Sequence, residues 1–134
     1  MALTYSTAIA NARLDAVEST IGTSAILRIR TGAAPATVAT ASSGTVLATC
    51  TLPSDWMAAA SSRSKAKSGT WEDTSADNAG TAGHFEIVAS DGTTVGLRGD
   101  VTVTSGGGNL TVDNVVFAAG QAFSITSFTL TAAN

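Results

Sequence analysis

The chain has 134 residues, of which more than half are Ala, Thr, Ser or Gly and only 13% are charged. This length is typical of a single domain, and a positive mean hydropathy with a net charge of −3 excludes a disordered chain. A single cysteine, Cys50, excludes an intrachain disulfide. No segment has the pattern of a transmembrane helix or of a secretory leader, so we expect a soluble protein that does not bind membranes.

The first predicted element is a helix over residues 4–21. Its apolar residues recur at intervals of four, three and four: Ala10, Leu14, Val17 and Ile21. Thr4 or Ser6 is suited to cap its start and Gly22 its end. The opposite side carries polar residues, namely Asn11, Arg13, Asp15 and Glu18. The helix is therefore amphipathic, and its apolar stripe needs an apolar partner.

After Gly22 the pattern changes to the alternation of a strand over residues 25–31, with Leu27 and Ile29 on one face and Arg28 and Arg30 on the other. Residues 32–44 predict a long loop, and residues 45–52 a second strand that ends at Pro53. Residues 56–60 fit either a short helical turn or an irregular strand. Loops are expected to dominate residues 61–82, which are polar.

A hairpin follows, in which residues 83–89 and 93–97 flank a turn at Ser90, Asp91 and Gly92. The last predicted strand covers residues 123–130, and its apolar residues change faces midway, as at a bulge or in a strand buried on both sides. In total, seven to nine short strands are expected. The sequence predicts one mainly β domain over 1–134: an N-terminal amphipathic helix at about 4–21, then an antiparallel sandwich or barrel, jelly-roll-like, at about 24–132.

Candidate catalytic chemistry is sparse in this sequence. His84 and Glu86 are two residues apart in a predicted strand, so their side chains point to the same face. The pair could therefore act as a general base and the carboxylate that orients it. Because both alternate with Phe85 and Ile87, they are better explained as the polar side of a half-buried strand. Cys50 lies in an apolar strand and is expected to be a buried small hydrophobe. One His and one Cys are too few ligands for a metal site, so we predict no enzyme, no metal and no cofactor.

Several residues are candidates for a protein interface. Arg63, Lys65 and Lys67 would project from one side of an extended segment. Because the whole chain is acidic and poor in aromatic residues, an acidic protein surface is a better partner for them than nucleic acid, although a solvated loop is an alternative. Trp56 and Trp71 fit either an interface or the core. The full candidate set is Tyr5, Arg13, Leu14, Val17, Trp56, Arg63, Lys65, Lys67 and Trp71.

Three segments resemble a family of small virion proteins of tailed bacteriophages: YSTAIANARLDAV (5–17), GTAGHFEIV (80–88) before Asp91 and Gly92, and AGQAFSITSFTLT (119–131). The resemblance spans nearly the whole chain. It implies a structural part of the particle without enzymatic activity, and a protein of this size and acidity is expected to be a decoration (cement) protein on the capsid exterior.

Such a protein would be made in the host cytoplasm, would bind the major capsid protein and would form a dimer or trimer, because several linked copies gain avidity. Two alternatives remain open at this point. One is a tail or fibre component. The other is a β-sandwich that binds carbohydrate, with Trp56 or Trp71 stacked on sugar rings.

Overall fold

The computed structural model describes residues 1–132; residues 133 and 134, the end of the predicted domain, lie outside this range. One helix, α1 (Thr7–Ile21), precedes ten strands. The strands are β1 (Ile26–Thr31), β2 (Val46–Thr51), β3 (Ser64–Ala66), β4 (Trp71–Asp73), β5 (Gly80–Val88), β6 (Val95–Val103), β7 (Leu110–Val112), β8 (Val116–Phe117), β9 (Phe123–Ile125) and β10 (Thr129–Thr131). The predicted class, mainly β with one N-terminal helix, is confirmed.

The main sheet has the strand order β2-β1-β5-β6-β7, with β8 joined to β5, and it curls into a half-barrel. Its pairs are antiparallel except β6 with β7, which run parallel over Val101–Val103 and Leu110–Val112. Two small antiparallel sheets, β3 with β10 and β4 with β9, complete the fold. Among the described residues, no helix has the length and hydrophobicity to cross a bilayer.

The core fills the concave side of the main sheet. Leu27 and Ile29 of β1 point into it and are fully buried, as their alternation predicts. Its centre is a series of four aromatic rings with centroids 5.5–6.0 Å apart, in the order Trp56, Trp71, Phe128 and Phe85. Tilted and edge-on ring pairs of this kind stabilise a core by about 0.5–1.5 kcal/mol each beyond the area that they bury.

The predicted hairpin is confirmed, with strands longer than expected. At its turn the Asp91 carboxylate accepts hydrogen bonds from the backbone N–H groups of Thr93 (2.8 Å) and Thr94 (2.9 Å), and from the Thr94 hydroxyl (2.6 Å). The bonds from Thr94 and Thr93 lower the pKa of Asp91 to about 2. Gly92 adopts φ +77°, a backbone conformation that disfavours side chains larger than glycine.

One predicted strand differs from the structure, and two further segments take a more definite form than the sequence indicated. The predicted strand over 123–130 is two strands, β9 and β10, which pair with β4 and β3 in different sheets. The change of faces at Thr126 and Ser127 marks the break between them. Loops dominate residues 61–82, as predicted, around β3, β4 and the start of β5. Met57 makes an antiparallel bridge with Lys67, so residues 56–60 are irregular extended chain rather than a helical turn.

Candidate assembly surface

Helix α1 begins and ends at the capping residues that the sequence offers. The Ser6 hydroxyl accepts a hydrogen bond from the N–H of Ile9 (3.2 Å), so Ser6, rather than Thr4, is the N-cap, and the helix starts at Thr7. At the other end Gly22 takes φ +98° and donates its N–H to Glu18 O (2.9 Å). Ala10 and Leu14 of the predicted stripe are buried.

The polar side of α1 also faces the rest of the protein, although the sequence suggested that only the apolar stripe would. Three of its side chains accept hydrogen bonds from backbone N–H groups of the segment 57–63, one per helical turn. The bonds are Arg63 N to Asn11 Oδ1 (2.9 Å), Ala60 N to Asp15 Oδ1 (2.9 Å) and Met57 N to Glu18 Oε2 (3.0 Å). These acceptors satisfy the backbone of an irregular segment that has few strand partners.

Lys65 completes this attachment from β3. Its ammonium group lies 2.8 Å from Asp15 Oδ1 and 3.1 Å from Glu18 Oε1, and it also donates to Ala58 O (2.8 Å). Burial by itself would lower the pKa of Lys65, but the hydrogen bonds to Asp15 and Glu18 outweigh it and raise the pKa. The hydrogen bond from Lys65 in turn lowers the pKa of Asp15. Lys65 therefore fixes α1 to the β domain.

Because much of the polar side of α1 contacts the rest of the protein, most of the exposed residues of the helix are small and uncharged. We call these residues the outward helix face: Ala8, Ile9, Ala12, Ala16, Ser19 and Thr20, all exposed. Ile9 retains 50% of its accessible surface. Two charged residues flank this face: Asp15, whose side chain is 48% exposed, and the exposed Arg13, whose guanidinium lies over the Tyr5 ring, 4.9 Å from the centroid. The exposed side of a surface helix is ordinarily charged or polar, so this arrangement is unusual for a surface that meets only water.

The structure separates the predicted interface residues into three groups. Four are buried within their own chain: Leu14, Trp56, Lys65 and Trp71. Arg63 and Lys67 are partly buried and donate hydrogen bonds to Tyr5 O and Gly69 O. The others lie next to the outward helix face: Tyr5, Arg13 and Val17.

Both tryptophan rings are fully buried, so neither offers a face on which a sugar could stack. Trp56 donates its indole N–H to Gly22 O (2.9 Å), just beyond the end of α1, and Trp71 donates to Ser68 O (3.1 Å). Of the two interpretations of these residues, core packing is the one that the structure supports.

The prediction that His84 and Glu86 lie on the polar side of a half-buried strand is wrong about the burial of that side, because both residues are fully buried. Residues 32–45, which we call the strap, cover that side. His84 Nδ1 lies 2.9 Å from Gly32 O in the strap. The sequence predicted this loop, but its alternating pattern could not show that the loop folds back over the sheet.

Glu86 is the centre of the strap's attachment. Its carboxylate accepts from Arg30 Nε (2.9 Å), Arg98 Nε (3.2 Å) and the Ser42 hydroxyl (2.8 Å). Burial alone would raise the pKa of Glu86, but the hydrogen bonds from Ser42 and Arg30, with the positive charge of Arg30, lower it overall. The two arginines also donate to strap carbonyls, Arg98 to Thr37 O and Thr40 O and Arg30 to Gly44 O.

Cys50 is buried, as predicted. Burial raises the pKa of its thiol to about 12, and the negative charges of Asp73, Glu72 and Asp77 add to this. A thiol with so high a pKa stays protonated and unreactive at neutral pH. Within residues 1–132, no group of three His, Cys, Asp or Glu side chains is placed to hold a metal ion.

Comparison of the chain with protein-family models, curated proteins and solved structures finds no match.

Proposed function

We propose that this protein is a structural component of a tailed-bacteriophage particle: a decoration (cement) protein that binds the outside of the head and stabilises contacts between major capsid subunits. In this role its partner is the major capsid protein, and it needs neither catalysis nor a cofactor. The observation that supports the proposal best is the outward helix face, an exposed and nearly uncharged surface on a helix that is firmly held to its domain.

The firm attachment matters because association costs less when the binding element is already ordered. Hydrogen bonds at Asn11, Asp15 and Glu18 hold α1 along its length. Small outward residues such as Ala12 and Ala16 allow a partner surface to come close, and Ile9 adds apolar area worth about 25 cal/mol per Å² when covered. A modest energy per contact is sufficient if the protein binds as a dimer or trimer, because linked copies that engage neighbouring sites of a repeating shell gain avidity.

Most of the lysine and arginine side chains make contacts within their own chain. Six of the seven donate hydrogen bonds within it, namely Arg28, Arg30, Arg63, Lys65, Lys67 and Arg98, and the seventh, Arg13, lies over Tyr5. A partner that covers the outward helix face is therefore recognised mainly by shape and apolar contact. We expect its binding to depend only weakly on salt, since apolar contacts are not screened.

The role is tested by adding the purified protein to heads assembled without it. We expect saturable binding and a higher temperature of head disruption. Absence of binding to heads, or binding to tails alone, would contradict the proposed location on the capsid.

The outward helix face is tested by introducing negative charges into it. The double variant Ala12→Glu with Ala16→Glu should lose binding while the thermal unfolding midpoint of the free protein falls only slightly, because both positions are exposed and Glu is a good helix former, so that only the weak repulsion between glutamates four residues apart is added. Ala119→Glu, the same change at an exposed turn, is the matched control and should bind as the wild type does. Equal binding by the double variant and the control would rule out the outward helix face as the contact.

A further inference from the structure

An open cleft of about 450 Å³ separates the main sheet from the small sheet of β3 and β10. Leu97 and Arg98 of β6 line one wall, and residues 129–131 of β10 line the other. Phe85 and Phe128 line its deepest part, where their rings meet edge-on with centroids 5.6 Å apart. The volume lies within the range of about 300–1,000 Å³ that is typical of binding clefts.

Each wall is a strand with a free edge. Over Val95–Asp100, β6 pairs with β5 on one side, whereas β7 joins its other side only from Val101 onward. In the described part of the chain β10 pairs with β3 alone. The Asp100 N–H donates to the side-chain oxygen of Asn109 (3.1 Å), so a side chain takes the position of a missing strand at one end of the β6 edge.

This edge lacks the usual protection against pairing. Proteins discourage strand addition with proline or outward-pointing charges on an edge. The segment 95–100 has no proline and no lysine, and the guanidinium of Arg98, only 4% exposed, is turned to Glu86 and the strap. Asp100 places its charge at the far end of the free edge, so most of this edge is open to a partner strand.

The same chain carries a segment that fits such an edge. Residues 1–4, which we call the arm, have no regular secondary structure and are exposed, with Leu3 retaining 74% of its accessible surface. Large apolar Met1 and Leu3 alternate with small Ala2 and Thr4, the spacing at which a strand places side chains on one face. Arg63 donates to Tyr5 O, which fixes the point from which the arm leaves the domain.

We infer that the arm of one copy adds as a strand to the β6 edge of a second copy, with Leu3 entering the cleft between Leu97 and Leu130. Within residues 1–132 of one chain the arm pairs with no strand, and no strand occupies the cleft. A second copy supplies a strand for the cleft and a strand edge for the arm. Main-chain hydrogen bonds to the free edge supply affinity, and the partly exposed side chains of Leu97 and Leu130 give Leu3 apolar contacts within a cleft that is otherwise largely polar. This association is independent of any role in a virion.

Sedimentation equilibrium over a range of concentrations tests the role of the arm. We expect the wild type to self-associate and Leu3→Asp to weaken that association about tenfold or more, because a buried Leu is replaced by a charge. Leu3 is exposed in the single chain, so the variant should still fold. Ala2→Asp, one position away on the other face of the arm, should associate as the wild type does. A wild type that stays monomeric, or equal association of both variants, would overturn the inference.

The position of the arm is tested with a nitroxide label at Ala2→Cys, since the buried thiol of Cys50 should not react. Labelled copies without isotope are mixed with unlabelled copies containing ¹⁵N. Broadening of the amide signals of Leu97 and residues 129–131 supports the inference. Broadening centred on the outward helix face, or no broadening of the cleft signals in the mixed sample, would overturn it. Head binding through Ala12 and Ala16 involves a different surface, so the two proposals can fail separately.

Discussion

Helix α1 and the strap are both attached to the β domain by a buried ion cluster, but the central charge has opposite sign in the two clusters. At the helix, the cation Lys65 lies between Asp15 and Glu18. At the strap, the anion Glu86 lies between Arg30 and Arg98. In both places residues distant in sequence meet across the fold, and a non-strand element is secured by charge as well as by apolar packing.

The two clusters differ in how far the outer charges reach water. The side chains of Asp15 and Glu18 are 48% and 18% exposed. The arginines around Glu86 are 14% and 4% exposed. Removal of the central residue therefore leaves one well-hydrated carboxylate, Asp15, at the helix, whereas both arginines at the strap are largely shielded from water. The cost of an unpaired charge rises as solvent is excluded. The strap cluster should be the more sensitive of the two.

The largest expected effect is that of Glu86→Ala. The change leaves Arg30 and Arg98 without their carboxylate in a dry site, and we expect a loss of about 3–5 kcal/mol in the free energy of unfolding. The measurement is chemical denaturation, together with limited proteolysis of the strap, which should become a cleavage site. Glu72→Ala, at an exposed glutamate, is the control and should change the free energy by less than about 0.5 kcal/mol. Similar losses in the two variants would show that the cluster does not stabilise the fold.

Lys65→Met should have a smaller effect. It removes the hydrogen bonds to Asp15 and Glu18 but leaves carboxylates that water can reach, so we expect a loss of about 1–3 kcal/mol. Hydrogen exchange should accelerate in α1 more than in β5. Lys67→Met, at a partly exposed lysine that donates to Gly69 O, is the matched control. A loss larger than that of Glu86→Ala would reverse the proposed order of the two clusters.

The opposite signs of the clusters also predict different dependence on pH. The pKa of Glu86 is lowered in the folded state, so its stabilisation is present above its ordinary value of 4.5 and is lost as the pH falls through the lowered value. The pKa of Lys65 is raised, so its stabilisation is present below 10.5 and is lost as the pH rises through the raised value.

Denaturation of both variants over a range of pH tests this difference. The acid loss of stability should shrink in Glu86→Ala, and the alkaline loss should shrink in Lys65→Met. Unchanged profiles in both variants would contradict the assignment of these groups.

The smallest expected effect concerns the start of α1. Ser6→Ala removes the side-chain acceptor of the Ile9 N–H and should destabilise the protein by about 1 kcal/mol. Thr4→Ala, the other candidate cap, should leave the thermal midpoint unchanged. If Thr4→Ala were the more damaging change, the helix would begin earlier than the structure shows.

Local signals in the sequence predicted much of this fold. The helix, its Ser6 and Gly22 caps and the turn at Asp91 and Gly92 follow from interactions between residues at most four apart, which a pattern can show directly. The predicted strands of β1 and β5 were also found, because their alternation places apolar residues on one face.

Long-range pairing accounts for what the sequence did not show. The polar side of α1 faces inward because it binds the backbone of residues 57–63, which lies far away in the sequence. The spacing of Asn11, Asp15 and Glu18 by four and three is itself a helical stripe and could have suggested a second packed face. Burial of His84 and Glu86 depends on the strap, 40 or more residues earlier in the chain. No local pattern distinguishes a sheet face covered by a loop from one covered by water.

The most direct test of the proposed function is a cryo-electron microscopy reconstruction of the particle that contains this protein. We predict density for the domain on the outside of the head, with Ala12 and Ala16 of α1 in contact with a capsid subunit. Density at the tail alone, or a domain on the head whose outward helix face is turned to solvent, would contradict the account.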